Sequence, residues 1–101
     1  MVPQSLAMLN GPFVFTQAER CAERVKQAAG TDPGRRVETA FQLVLCRPPH
    51  TEEVSASRDL LTRQARRYQE QQNQTAEQAA DAALMNLCQM LLSTNEFLYV
   101  P

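Results

Sequence analysis

Apolar residues recur at intervals of three and four along most of this 101-residue chain, and the widest such stripe lies near its end. In Thr75 to Pro101, TAEQAADAALMNLCQMLLSTNEFLYVP, the positions Ala76, Ala79, Ala80, Ala83, Leu84, Leu87, Cys88, Leu91 and Leu92 fall on one helical face. A face that broad needs a core, so the rest of the chain is expected to cover it. Thr75 and Gln78 have the spacing of a capping box, which starts this helix near Ala76. Past Leu92, the run Ser93-Thr94-Asn95 is expected to stop the helix and open a turn that delivers Phe97, Leu98 and Tyr99 as an aromatic latch.

The same periodicity places the earlier elements. Pro3 to Asn10 forms a short helix carrying Leu6 and Leu9, stopped by Asn10-Gly11. A second helix runs from about Pro12 to Ala29, with Val14, Ala18, Cys21, Ala22, Val25 and Ala28 as its buried face and Gly30 as its end. Asp32-Pro33 is a cap followed by a proline suited to the first helical position, and it opens a third helix through Val37, Ala40, Phe41, Val44 and Leu45 that ends near Arg47. Pro48-Pro49 forces a turn. Thr51 is expected to cap a fourth helix, with Glu52 and Glu53 where the helix dipole favours negative charge. That helix carries Val54, Leu60, Leu61, Ala65 and Tyr68 and frays into a connector over Gln69 to Gln74. With no strand pattern, internal repeat or Gly-rich phosphate loop, the expected fold is all-α: one domain, a compact orthogonal bundle of about five helices plus a short C-terminal helical turn.

Composition narrows the function classes. A net charge of −1, from 10 basic and 11 acidic residues, gives no broad attraction to nucleic acid or an anionic membrane. No apolar run is long enough to span a bilayer, and the first residues lack the features of a signal peptide, so the chain is expected to be soluble. Nine of the ten basic residues are arginine, which favours planar pairing with carboxylates. Arg58, Arg63, Arg66 and Arg67 form the one local basic cluster, a candidate interaction face. Asp59 lies four residues before Arg63 and Glu70 four after Arg66, a spacing that predicts pairing within the helix.

Candidate chemistry is sparse. Cys21, Cys46 and Cys88 are widely spaced and odd in number, form no CxxC motif, and are expected to be small hydrophobes on apolar helical faces. His50 is the single histidine, with no second histidine or cysteine cluster beside it in sequence to complete a metal site. No catalytic residue, cofactor site or metal site is therefore expected. The carboxylates mostly occupy caps, first turns or charged faces.

Three blocks, PQSLAMLNGPFV, LVLCRPPHTEEV and LCQMLLSTNEFLYV, together resemble the carboxy-terminal segment of a planctomycete-type family of large exported proteins of unknown function. There the pattern is PQALxLLNSPFV, LxLGRxPTxxE and LCxALLNSNEFLYVD, at the end of chains that often carry a cytochrome c-like domain elsewhere. The resemblance implies an all-helical terminal module or fragment of a larger exported or cell-envelope protein, linked to degradation of complex polymers through neighbouring domains. Cys46 stands where that family usually has Gly, and Pro101 where it has an acidic residue. The haem motif CxxCH is absent from this chain, so no electron-transfer role carries over.

The resulting expectation is a non-catalytic helical scaffold or protein-interaction module, whose partner is another domain of a parent chain or a separate protein. A helix-turn-helix-like nucleic-acid binder using the Arg58 to Arg67 face is the second reading, and a small hydrolase using Cys46 and His50 the third. Arg47, at a helix C-terminus, and Glu96, in the restarting turn, are expected to pair and pin Phe97 over the core.

Overall fold

The computed structural model describes residues 12–98, and the side chains among them as far as Thr94. Four helices follow one another: α1 (Pro12–Ala29), α2 (Pro33–Leu45), α3 (Thr51–Gln72) and α4 (Ala76–Leu98). There is no strand among the described residues, so the class is all-α as its periodicity predicts. The short helix expected over Pro3 to Asn10 lies outside the described residues.

Local chemistry explains most boundaries. Asp32 accepts the Arg35 amide at 2.9 Å ahead of Pro33, the expected cap of α2. Thr75 and Gln78 exchange reciprocal bonds of 3.1 Å at the start of α4, the expected capping box. Gly30 ends α1 in the left-handed region at φ +65, and its amide donates to the Lys26 carbonyl at 2.9 Å.

Three boundaries differ from expectation. His50, not Thr51, precedes the first turn of α3, and its amide donates to Glu53 Oε1 at 2.8 Å. The Gln69 to Gln72 stretch continues α3 instead of fraying, because Gln and Glu are good helix formers and the preceding turn is anchored. The anchor is Asn86 of α4, which donates to Gln64 Oε1 at 2.7 Å and to the Tyr68 hydroxyl at 2.9 Å. Asn73, at φ 54, then makes the turn. Finally, α4 runs unbroken through Ser93 and Thr94 to Leu98, where a stop was expected. The Thr94 hydroxyl donates to the Met90 carbonyl one turn back at 2.9 Å, which satisfies it inside the helix instead of diverting the backbone.

α4 packs against each of the other three helices, while α2 also touches both α1 and α3. The core is built from Ala18, Ala22, Val25 and Ala29 of α1, Val37, Ala40, Phe41 and Val44 of α2, and Leu84, Leu87, Cys88 and Leu91 of α4. Leu45 packs against this cluster from a half-buried position. On α1 the buried stripe passes through Ala29 and leaves the expected Ala28 exposed, which keeps the four-residue step from Val25. Lys26 opposite Asp81, and Gln17 beside Leu92 in one groove, set α1 and α4 antiparallel.

Candidate functional site

Cys46 closes α2 in the left-handed region (φ 58, ψ 33), the conformation that glycine adopts without strain, and its amide donates to the Gln42 carbonyl at 3.1 Å. It is exposed at this turn, not on a buried helical face as expected. A left-handed residue with a side chain is strained by roughly 1–2 kcal/mol, partly offset in glycine by its greater unfolded-state freedom. Cys46→Gly is accordingly expected to raise stability by up to about 1 kcal/mol, measured as an upward shift of the urea midpoint.

The turn delivers Arg47 onto Glu53 across the two prolines. The pair is bidentate, Nη1 to Oε1 and Nη2 to Oε2, both at 2.8 Å, and Nη1 also donates to the Pro48 carbonyl at 3.0 Å. The guanidinium carbon lies 5.8 Å from the Phe41 ring centroid, within cation–π range. The partner that the structure gives Arg47 is thus Glu53, expected only as an acid in the first turn of α3. The expected partner Glu96 and the Phe97 latch have side chains outside the described residues.

The Arg47 guanidinium, and after it the His50 amide, hold the Glu53 carboxyl down at about 2. An unfolded glutamate titrates at about 4.3. Because the folded value is the lower one, the stabilisation from this group is complete above the unfolded value. It is lost as pH falls through the folded one. An acid titration is expected to show a loss of stability between about pH 4 and about pH 2 that Glu53→Gln lacks. The Glu53 carboxyl carbon resonance should move with a midpoint near 2.

A second polar centre joins three elements. Arg36 is buried on α2, where its Nε donates to the Gly30 carbonyl at 2.6 Å and its Nη1 lies 3.5 Å from Asp81 Oδ1 of α4. Lys26 of α1 reaches Asp81 Oδ2 at 3.4 Å and Glu23 at the same distance. Arg36 borders a cavity of about 170 Å³ between α2, α3 and α4, whose other walls include Leu61, Ala65, Ala80 and Leu84. No sequence pattern singled out Arg36 or Asp81. The available signal was Arg36 standing beside Val37 on the side of α2 that periodicity assigns to the core.

The remaining candidates are spread over the surface. Arg58, Arg63, Arg66 and Arg67 are all exposed along α3. Arg63 pairs with Asp59 at 2.9 Å as expected, whereas the expected Arg66–Glu70 pair is not formed among the described residues. The imidazole of His50 is directed to Glu53, with Nδ1 at 3.4 Å from Oε1, and no cluster of metal-ligating side chains occurs among the described residues.

One concave surface combines apolar and charged groups. An open groove of about 510 Å³ lies between α1, α2 and α4, lined by Gln17, Arg20, Cys21, Arg24, Leu43, Val44 and Leu92. Phe13, Gln17, Arg20 and Arg24 follow at helical spacing along one face of α1, and the Phe13 ring is exposed. Leu43 is likewise exposed.

A family model, PSD1, "protein of unknown function (DUF1553)", matches residues 1–61 of the 101. The chain belongs to this family. The PSD1 match takes in α1, α2 and the first half of α3, including the Arg47–Glu53 clasp and the arginine wall of the groove. Two of the blocks that carried the resemblance, PQSLAMLNGPFV and LVLCRPPHTEEV, fall inside it, and LCQMLLSTNEFLYV falls beyond it. No curated protein and no solved structure matches the chain. In the PSD1 portion, Cys46 occupies a backbone conformation that suits the glycine seen in the resembling pattern. No helix of the described residues is long and apolar enough to cross a membrane.

Proposed function

We propose that this PSD1 domain is a non-catalytic protein-interaction module, and that it docks a partner segment in the groove between α1, α2 and α4. The observation that carries this reading is the composition of the groove: a floor of Leu43, Val44 and Leu92 beside a wall of Arg20 and Arg24. Among the described residues neither guanidinium has an ion-pair partner. Charge complementarity therefore selects an amphipathic segment of another protein with acidic and apolar side chains, the helix-in-groove mode of recognition. The Arg47–Glu53 clasp and the Arg36–Asp81 contact serve as scaffolding that holds the walls in place.

The reading is tested by adding amphipathic Leu/Glu and Leu/Lys peptides to the domain and following its methyl resonances. The Leu/Glu peptide is expected to shift Leu43, Val44 and Leu92, less so as salt rises, and Arg20→Glu with Arg24→Glu should abolish the effect. Equal binding of both peptides, or shifts confined to another face, would overturn it. Turnover of a polymer substrate by the purified domain would overturn its non-catalytic part.

A second reading has its own observation. Arg58, Arg66 and Arg67 are exposed on α3 and without an ion-pair partner among the described residues, as a nucleic-acid-facing helix would require. Salt-dependent binding of mixed-sequence DNA, lost on Arg66→Glu with Arg67→Glu, is the result that would favour it.

A further inference from the structure

The antiparallel register of α1 and α4 brings two cysteines together. Lys26 faces Asp81 at one end of the helix pair, and Gln17 and Leu92 share the groove further along. Between these contacts Cys21 lies one turn from Gln17 and Cys88 one turn from Leu92, so the register sets the two cysteines level with each other across the packed faces of α1 and α4. The two differ in access. Cys88 is wholly buried in the core cluster, whereas Cys21 is half-buried, packs against that cluster and opens into the groove beside Arg20 and Arg24.

We infer that Cys21 and Cys88 form an oxidisable dithiol, a modification site at which a peroxide attacks from the groove and a disulfide closes between α1 and α4. The neighbouring Cys88 thiol, and to a lesser degree the charge of Arg24, favour the thiolate of Cys21 against the opposing effect of its partial burial. Cys88 is held protonated chiefly by the nearness of the Cys21 sulfur, with burial and the negative charge of Cys21 adding to it. The pair thus divides into an attacking thiolate with access to the groove and a sealed resolving thiol.

The chemistry balances with peroxide as the sole oxidant. The Cys21 sulfur attacks one peroxide oxygen, the O–O bond breaks, and Cys21 becomes a sulfenic acid while the departing oxygen leaves as hydroxide. Cys21 then no longer carries the negative charge that helped to keep Cys88 protonated. The Cys88 proton passes to the hydroxyl group leaving Cys21, the Cys88 sulfur bonds to the Cys21 sulfur, the S–O bond breaks, and water departs. In total two thiols and one hydrogen peroxide give one disulfide and two waters. Cys46, exposed at the end of α2, provides an internal comparison.

The test uses the full chain, reduced and then treated with hydrogen peroxide at neutral pH. Thiols counted after denaturation are expected to fall from three to one. The chain should form no disulfide between chains, lose two hydrogens in mass, and yield a peptide containing Cys21 linked to one containing Cys88. Dithiothreitol should restore all three thiols. Cys88→Ala is expected to leave a sulfenic acid on Cys21 that dimedone traps, and Cys21→Ser to leave Cys88 reduced. The wild-type measurement decides even if the core variant folds poorly. Survival of all three thiols in excess peroxide, loss of Cys46 before Cys21, or a Cys21–Cys88 bond that forms only in denaturant would each overturn the inference.

Discussion

Leu87→Ala is expected to lower the free energy of unfolding by about 2–5 kcal/mol, read as a fall in urea midpoint at unchanged slope. Leu87 is wholly buried on α4, the helix that meets every other helix among the described residues. A site walled by several helices collapses poorly when emptied, because moving one wall inward disturbs contacts with the others. A domain of this size has about 5–15 kcal/mol in total, so the loss is a large share of its stability. Met90, three residues away on the same helix but 48% exposed, is the control, and Met90→Ala should change stability by no more than about 0.5 kcal/mol. Equal effects at the two positions would show that the helix presents a different face to the core.

Arg36→Met is expected to cost about 1.5–3 kcal/mol, the range for hydrogen bonds made by charged groups. The methionine keeps most of the apolar stem, so the loss reports the guanidinium and not an emptied volume. The Arg36 side chain is only 8% exposed, and its 2.6 Å bond to the Gly30 carbonyl ties α2 to the turn at the end of α1. Asp81 retains Lys26 in the variant, so no carboxylate is stranded. Because the group is shielded from solvent ions, the cost should change little between low and high salt. Arg36→Lys should recover only part of it, since a single ammonium does not reproduce the two directions of the guanidinium. A cost within a few tenths, or one abolished by salt, would mean that the contact is merely a surface pair.

The helical class, the caps at Asp32 and Thr75 and the core positions Phe41, Leu84, Leu87 and Leu91 were legible from the residues alone. These features depend on neighbours within a turn or two, where spacing along the chain is spacing in space. The family resemblance was legible too, with the model match covering residues 1–61. The same local logic erred where a side chain had two uses. Thr94 could have broken α4 or bonded back into it, and Gln69 to Gln72 could have frayed or continued α3. Propensity favours the helix at Gln69 to Gln72 without deciding it, and the anchoring of Tyr68 by Asn86 is the tertiary contact that accompanies the outcome.

Beyond the Asp59–Arg63 pair within α3, only the tertiary structure decided who pairs with whom. Arg47 chose Glu53 because the two prolines fold the chain back on itself there, a direction that sequence spacing does not encode. Arg36 meets Asp81 across 45 residues, and the groove gathers residues from three helices. Cys21 and Cys88, each a small hydrophobe by its own helical face, become level with each other only through the antiparallel packing of α1 on α4. Periodicity determines which face of each helix is buried; the rotation and register with which those faces meet are set by the packing of all the helices at once, and long-range pairs exist only after that choice is made.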